Sequence, residues 1–193
     1  MKKINNKVLA LGLVLLVAIF VIARVFRAPK LDSNVRKELV KLDESKITEV
    51  RIASADSLIK LLKEDGKWQV IKDDKKLEAD SGAVARLLQS IKTLEAKRMA
   101  SRKKDKWAGF KVDSTGTNVS VYYGGDKEAD FQVGNFGFSQ TPGAGGGGQF
   151  GNGISPYTYV RLSDEEEVYI VDGFLGSSLP TALKEWTKKP KIN

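Results

Sequence analysis

The chain has 193 residues, 41% of them apolar, with 32 Lys+Arg against 24 Asp+Glu, a formal charge of +8, and neither cysteine nor histidine. Without cysteine there is no disulfide, thiolate nucleophile or lipid-bearing N-terminal Cys, and without histidine the commonest general base at neutral pH and the commonest metal ligand are missing. Nor does the charge point to nucleic acid: residues 1–37 hold eight basic residues and one acidic one, and the rest of the chain carries 24 basic against 23 acidic.

Met1 to Lys7 is a short basic head, and Val8 to Ala23 (VLALGLVLLVAIFVIA) then runs sixteen residues without a charge. At about 1.5 Å per residue this reaches about 24 Å, short of a hydrocarbon core of about 30 Å. The shortfall closes if Arg24 snorkels to the headgroups and Val25 and Phe26 stay in the apolar layer. Val8, Leu16, Phe20, Ala23, Arg24 and Phe26 are therefore expected to belong to a membrane anchor over residues 1–28, in contact with the lipid bilayer. A cleaved secretory signal shares the basic head, but ends at a small-x-small site, and ARVFRAPK offers no A-x-A. Basic residues flank the span on both sides, so orientation follows from the very short N-terminal tail. The expectation is a single-pass bacterial inner-membrane protein with its C-terminal domain in the periplasm, where basic flanks meet anionic headgroups.

Pro29 breaks the span, and residues 29–45 read as a charged stalk in which Leu31, Val35, Leu39 and Leu42 allow a short helix. From Ile47 the period changes to two. Ile47 to Ile52, Ser57 to Lys63 and Lys67 to Ile71 read as an antiparallel three-stranded meander, with Glu64-Asp65-Gly66 as a tight hairpin turn. Asp80 then caps an amphipathic helix whose stripe is Val84, Leu87, Leu88, Ile91 and Leu94.

Lys97 to Lys106 (KRMASRKKDK) holds six basic residues in ten. Its bland reading is a solvated connector; its sharp one is a contact for an anionic polymer through Arg102, Lys103 and Lys104. Trp107 to Phe110 reads as one helical turn ending at Gly109, with both aromatics in the core. Strands follow at Asn118 to Tyr123 and Ala129 to Val133, joined by Gly124-Gly125-Asp126. Gly134 to Pro156 has eleven Gly or Pro among 23 residues and reads as a mobile loop at a hairpin tip. Tyr157 to Leu162 returns as a strand with Tyr157, Tyr159 and Arg161 on one face. An acidic turn at Asp164 to Glu167, a strand at Val168 to Val171 and a helix at Phe174 to Trp186, broken at Pro180, complete residues 46–193 as one domain.

No motif carries chemistry. Gly146, Gly148 and Gly151 fit G-x-G-x-x-G, but Asn152-Gly153-Ile154-Ser155-Pro156 cannot open the helix a phosphate site needs. Ser57 to Lys60 and Ser101 to Lys104 fit S-x-x-K; the first lies on a strand, where positions three apart face opposite ways, and neither has a companion S-D-N or K-T-G. Four consecutive carboxylates at Asp164 to Glu167 cannot converge on one cation. No catalytic, cofactor-binding or metal-ligating residue is therefore expected. Core packing accounts for the aromatics on strands; Phe136, Phe138 and Phe150, inside the glycine-rich stretch, have no such reason and are candidate partner contacts.

The ordered cues ITEVRI, SLIKLLKEDGKWQV, LEADSGAVARLLQSIKTLEAKR, WAGFKVD, FQVGN and YTYVRLSDEEEVYIVD, spanning Lys46 to Val171, resemble the bacterial domain-of-unknown-function family numbered 4340. The resemblance implies a membrane-anchored protein associated with ABC-type transporter and gliding-motility auxiliary components, and brings over no catalytic residue. The expected fold is α+β: an N-terminal transmembrane helix, then a domain of mainly antiparallel sheet with one amphipathic helix packed on it and a C-terminal helix. The expected function is a non-enzymatic accessory or scaffold subunit of a cell-envelope complex, with membrane-protein subunits as partners; the other reading is a binding module for an envelope glycan or lipid-linked polymer.

Overall fold

The computed structural model describes residues 36–140 and 154–187. In chain order the strands and helices are β1 (Glu38–Lys41), β2 (Glu49–Ser54), β3 (Ser57–Glu64), β4 (Lys67–Lys72), β5 (Lys75–Glu78), α1 (Ser81–Ile91), β6 (Thr93–Glu95), β7 (Arg98–Ser101), α2 (Trp107–Phe110), β8 (Thr117–Tyr123), β9 (Asp126–Gln140), β10 (Ile154–Leu162) and β11 (Val168–Asp172). Nine strands form one sheet in the order β5-β4-β3-β2-β8-β9-β10-β11-β7, and β1 pairs with β6 in a separate ribbon; every pairing is antiparallel. No helix among the described residues is long and apolar enough to cross a membrane, and the anchor expected at residues 1–28 lies outside them.

Alternation places the core. Val50 and Ile52 of β2 pair with Leu61 and Ile59 of β3 on one side and with Val121 and Val119 of β8 on the other, and all six are fully buried. Phe131 and Val133 of β9 and Val160 and Leu162 of β10 extend this face. Helix α1 contributes Ala83, Val84, Leu87, Leu88 and Ile91 to the same cluster. The β3–β4 turn has positive φ at Asp65 (49°) and Gly66 (78°), the conformation the Asp-Gly pair predicts. The expected meander is present, with β5 as a further strand. Its residues Lys75, Lys76, Leu77 and Glu78 are all exposed at the sheet edge, so they show no apolar alternation.

Asp80 caps α1 as its position predicts, its carboxylate accepting from the Ala83 amide at 2.8 Å. Its own amide donates to the Trp186 carbonyl at 2.7 Å, which ties the far end of the domain to the helix start. Asp80→Ala is expected to cost about 1 kcal/mol in urea unfolding; an unchanged midpoint would mean that the side-chain bond contributes nothing.

Two expectations are corrected here. Part of the stalk drawn at residues 29–45 belongs to the domain: Glu38–Lys41 is a strand, not a helix, and Leu39, Val40 and Leu42 are core residues. The register shift between Glu38 and Val40 turns neighbouring side chains inward together, and that breaks the period-two signal. The C-terminal helix is replaced by two 3-10 turns, Leu175–Ser178 and Leu183–Glu185. Gly173, Gly176 and Pro180 leave no stretch long enough to nucleate an α-helix. Trp186 is nonetheless fully buried, its indole N–H donating to the Pro180 carbonyl at 2.8 Å.

Candidate functional site

The longest hairpin carries the most unusual surface. β9 and β10 pair from Phe131 and Leu162 outward to Gln140 and Ile154, with one irregularity: Val133 faces Val160 and Phe136 faces Thr158, so Gly134 and Asn135 together oppose Tyr159. This bulge has a steric cause. A Cβ at Gly134 would lie 2.1 Å from the Phe110 carbonyl oxygen, so glycine lets the α2 segment cross against the sheet. Further out, Gly137 lies under the Tyr157 ring, 2.6 Å from where its Cβ would be. The stretch expected as a loop from Gly134 to Pro156 is therefore strand at both ends, with Gly134 and Gly137 as packing positions, and residues 141–153 lie outside the described residues.

Beyond the bulge, Phe136 and Phe138 emerge beside Phe174. The three rings meet edge to face, with centroids 5.1, 5.6 and 6.0 Å apart. Phe136 is 60% exposed and Phe138 52%. Sequence reasoning singled out both and missed Phe174, assigned to the C-terminal helix; the cue was Gly173, whose φ of 88° turns the chain as β11 ends. Phe150 lies outside the described residues. Next to Phe174 a cavity of about 380 Å³ opens between Leu94, Val171 and Leu175, with the Lys97–Asp172 ion pair (2.9 Å) also on its wall. The opposite face of the arm is aromatic too: Tyr157 and Tyr159 pack at 5.4 Å and Phe110 lies 4.5 Å from Tyr159. Burial, with the hydrogen bond it shares with the Tyr157 hydroxyl, pushes the Tyr159 phenol above its ordinary pKa.

The basic run sits elsewhere. Arg98 to Ser101 form edge strand β7 rather than a connector, with Ser101 opposite Val168. Arg102, Lys103 and Lys104 follow Ser101 at the Val168 end of β11, whereas Phe174 follows Asp172 at its other end. The structure thus does not bring the two sets together. Arg102 Nε contacts Met99 Sδ at 3.1 Å and the Lys104 ammonium lies 5.2 Å over the Trp107 ring.

Trp107 and Phe110 are half-buried rather than in the main core, and α2 ends at Phe110 with Lys111 (φ 53°) as its cap, not at Gly109. Both pack on the sheet's second face, where Arg161 holds the segment down. Its guanidinium stacks on Trp107 at 3.9 Å and donates to the carbonyls of Val112 (2.9 Å), Leu162 (3.0 Å), Ser163 (3.4 Å) and Glu165 (3.2 Å). Burial lowers its pKa from the ordinary arginine value, with Asp130 and Asp113 opposing. On the same face Asp130 accepts from Lys127 (2.8 Å), Asn118 (2.9 Å) and Ser120 (3.1 Å). Burial opposes its charge, yet these bonds outweigh it and hold the carboxyl below its usual pKa.

Neither serine of the S-x-x-K pairs is aimed at its lysine. Ser57 donates to the Thr181 carbonyl at 2.9 Å while Lys60 pairs with Glu49 at 3.1 Å, and Ser101 Oγ accepts from the Lys103 amide at 3.0 Å. In the acidic turn Glu165 is engaged by Arg36 (2.8 Å) and by the Tyr169 hydroxyl (2.7 Å). Among the described residues no group of three or more Asp or Glu is placed to hold a metal. What the arm can offer is apolar contact: mutually packed rings on a hydrogen-bonded two-stranded support, the residue type that dominates protein interfaces.

No curated protein and no solved structure matches the chain. A family model matches residues 68–190, beginning within β4 and running past Trp186, so it omits the ITEVRI strand and takes in the C-terminal turns. The match covers more than half of the chain, which therefore belongs to the family described as "Domain of unknown function (DUF4340)".

Proposed function

We propose that this chain is a non-enzymatic, membrane-anchored accessory or scaffold subunit of a bacterial cell-envelope complex, of the ABC-type transporter or gliding-related kind. The observation that carries this reading is the aromatic cluster of Phe136, Phe138 and Phe174, more than half exposed at its two strand positions and carried on the paired strands β9 and β10. Exposed rings of this kind gain most when a partner's surface removes them from water, roughly 25 cal/mol per Å² of apolar area. Polymer binding through the basic run and the aromatics together would need one continuous surface, and the two lie at opposite ends of β11.

The test is affinity purification of the full-length protein from native membranes in mild detergent, with identification of what stays bound. Stoichiometric membrane-protein subunits are expected with the wild-type chain. Phe136→Ser combined with Phe138→Ser should cut recovery at least about tenfold, as removal of central aromatic anchors does, while leaving the melting temperature near that of the wild type. Recovery of the chain alone, or undiminished recovery with the double variant, would sink the reading.

A further inference from the structure

Among the described residues, strand β1 pairs with β6 along one edge and with no strand along the other. β9 pairs with β8 from Asp126 to Val133, but β10 covers its other edge only from Phe131 onward, so Asp126 to Ala129 present a second edge that no strand among the described residues covers. Both edges line one groove of about 750 Å³, walled by Glu38 to Leu42 on one side and Lys127 to Asp130 on the other. Leu39, Leu42 and Leu162 border it from the core. Unpaired strand edges carry rows of free N–H and C=O groups at a fixed spacing, and an extended chain satisfies them by adding a strand.

Charge says what kind of chain. The positive groups on the walls are already matched: Arg36 by Glu165 at 2.8 Å, Lys41 by Glu38 at 3.4 Å and Lys127 by Asp130 at 2.8 Å. Glu128 and Asp164 are exposed and have no ion-pair partner among the described residues. The groove therefore presents uncompensated negative charge beside two strand edges. A second copy of this chain would bring the same carboxylates against themselves.

We propose that the groove between β1 and the start of β9 is a strand-addition site for an extended basic segment of a partner protein. The segment's backbone pairs with the open edges, its apolar side chains face Leu39 and Leu162, and its Lys or Arg side chains meet Glu128 and Asp164. The site is separate from the aromatic arm and does not depend on it.

The probe is a hexapeptide of alternating lysine and valine, blocked at both ends, added to the full-length protein in mild detergent. Binding is followed by calorimetry and by backbone hydrogen exchange. Protection is expected at Glu38–Lys41 and at 126–129. The same peptide N-methylated on alternate amides should bind at least about tenfold more weakly, since two or three bonds of about 1 kcal/mol are lost. Glu128→Gln with Asp164→Asn should weaken binding about threefold to tenfold and flatten its salt dependence, without changing the melting temperature. Phe136→Ser with Phe138→Ser should leave peptide binding untouched, which keeps this outcome distinct from that of the arm. The proposal is overturned if neither edge gains protection, if the N-methylated or a glutamate–valine peptide binds as tightly as the probe, or if the edges are instead protected by self-association at raised protein concentration.

Discussion

Arg161→Met is expected to lower unfolding stability by about 3 kcal/mol, because it leaves several carbonyls without their donor at about 1–3 kcal/mol for each that stays buried. For a domain of this size the melting temperature should fall by about 6–12 °C. Val112, one of those acceptors, is fully buried, and Trp107 loses the guanidinium stacked on its ring. Arg161→Lys should recover little of the loss, since an ammonium cannot serve acceptors on two chain segments and stack at the same time. The loss should be local first: amides of 107–113 should exchange faster, and Trp107 fluorescence should shift to the red before the sheet unfolds. A methionine variant that melts with the wild type would show that the guanidinium only decorates a segment held by other contacts.

Gly134→Ala should cost about 3 kcal/mol and Gly137→Ala about 1 kcal/mol or less, at the severe and mild ends of overpacking. Both added methyl groups meet something too close, but what they meet differs. At Gly134 it is the Phe110 carbonyl at 2.1 Å and the Val112 side chain at 2.8 Å, so either β9 or the α2 segment must move as backbone. At Gly137 it is the outer end of the Tyr157 ring at 2.6 Å, which can rotate away. Chemical denaturation of the two variants side by side is the check; equal losses would mean that the α2 segment is not pinned to β9 as described.

Local sequence signals translated well into structure where the interaction itself is local. The Asp65-Gly66 turn, the Gly124-Gly125 turn and the Asp80 cap each depend on residues two to four positions apart, and each is where the sequence places it. Strands whose reason lies elsewhere in the chain stayed hidden. β7 exists because β11 offers it an edge, and its Arg98 to Ser101 would be read as a charged linker anywhere else. β1 is masked by its irregular register with β6. The glycine-rich stretch shows the same limit in reverse: composition reads Gly134 and Gly137 as freedom, whereas their contacts with Phe110 and Tyr157 make them fitted positions. For the candidate site, Phe136 and Phe138 were legible as aromatics without a core to serve. Phe174 was not, because its partners lie more than thirty residues upstream on another strand.

The placement of β1 also has a mechanical side. Any tension that reaches the domain through residue 36 is carried first by β1, a four-residue strand whose register with β6 has three Cα partners. Behind it stand the Leu42–Lys92 backbone bond (2.8 Å) and the Asp43 amide's bond to the Tyr123 hydroxyl (2.6 Å). Small contact sets of this kind open locally at far less free energy than a whole sheet. β1 is thus expected to be the domain's fuse: under load it should peel before the nine-stranded sheet opens, taking one wall of the groove and the core residues Leu39 and Val40 with it. A strand seated in that groove would cross-brace β1 to β9, so the full-length protein would resist pulling more strongly when the groove is filled than when it is empty.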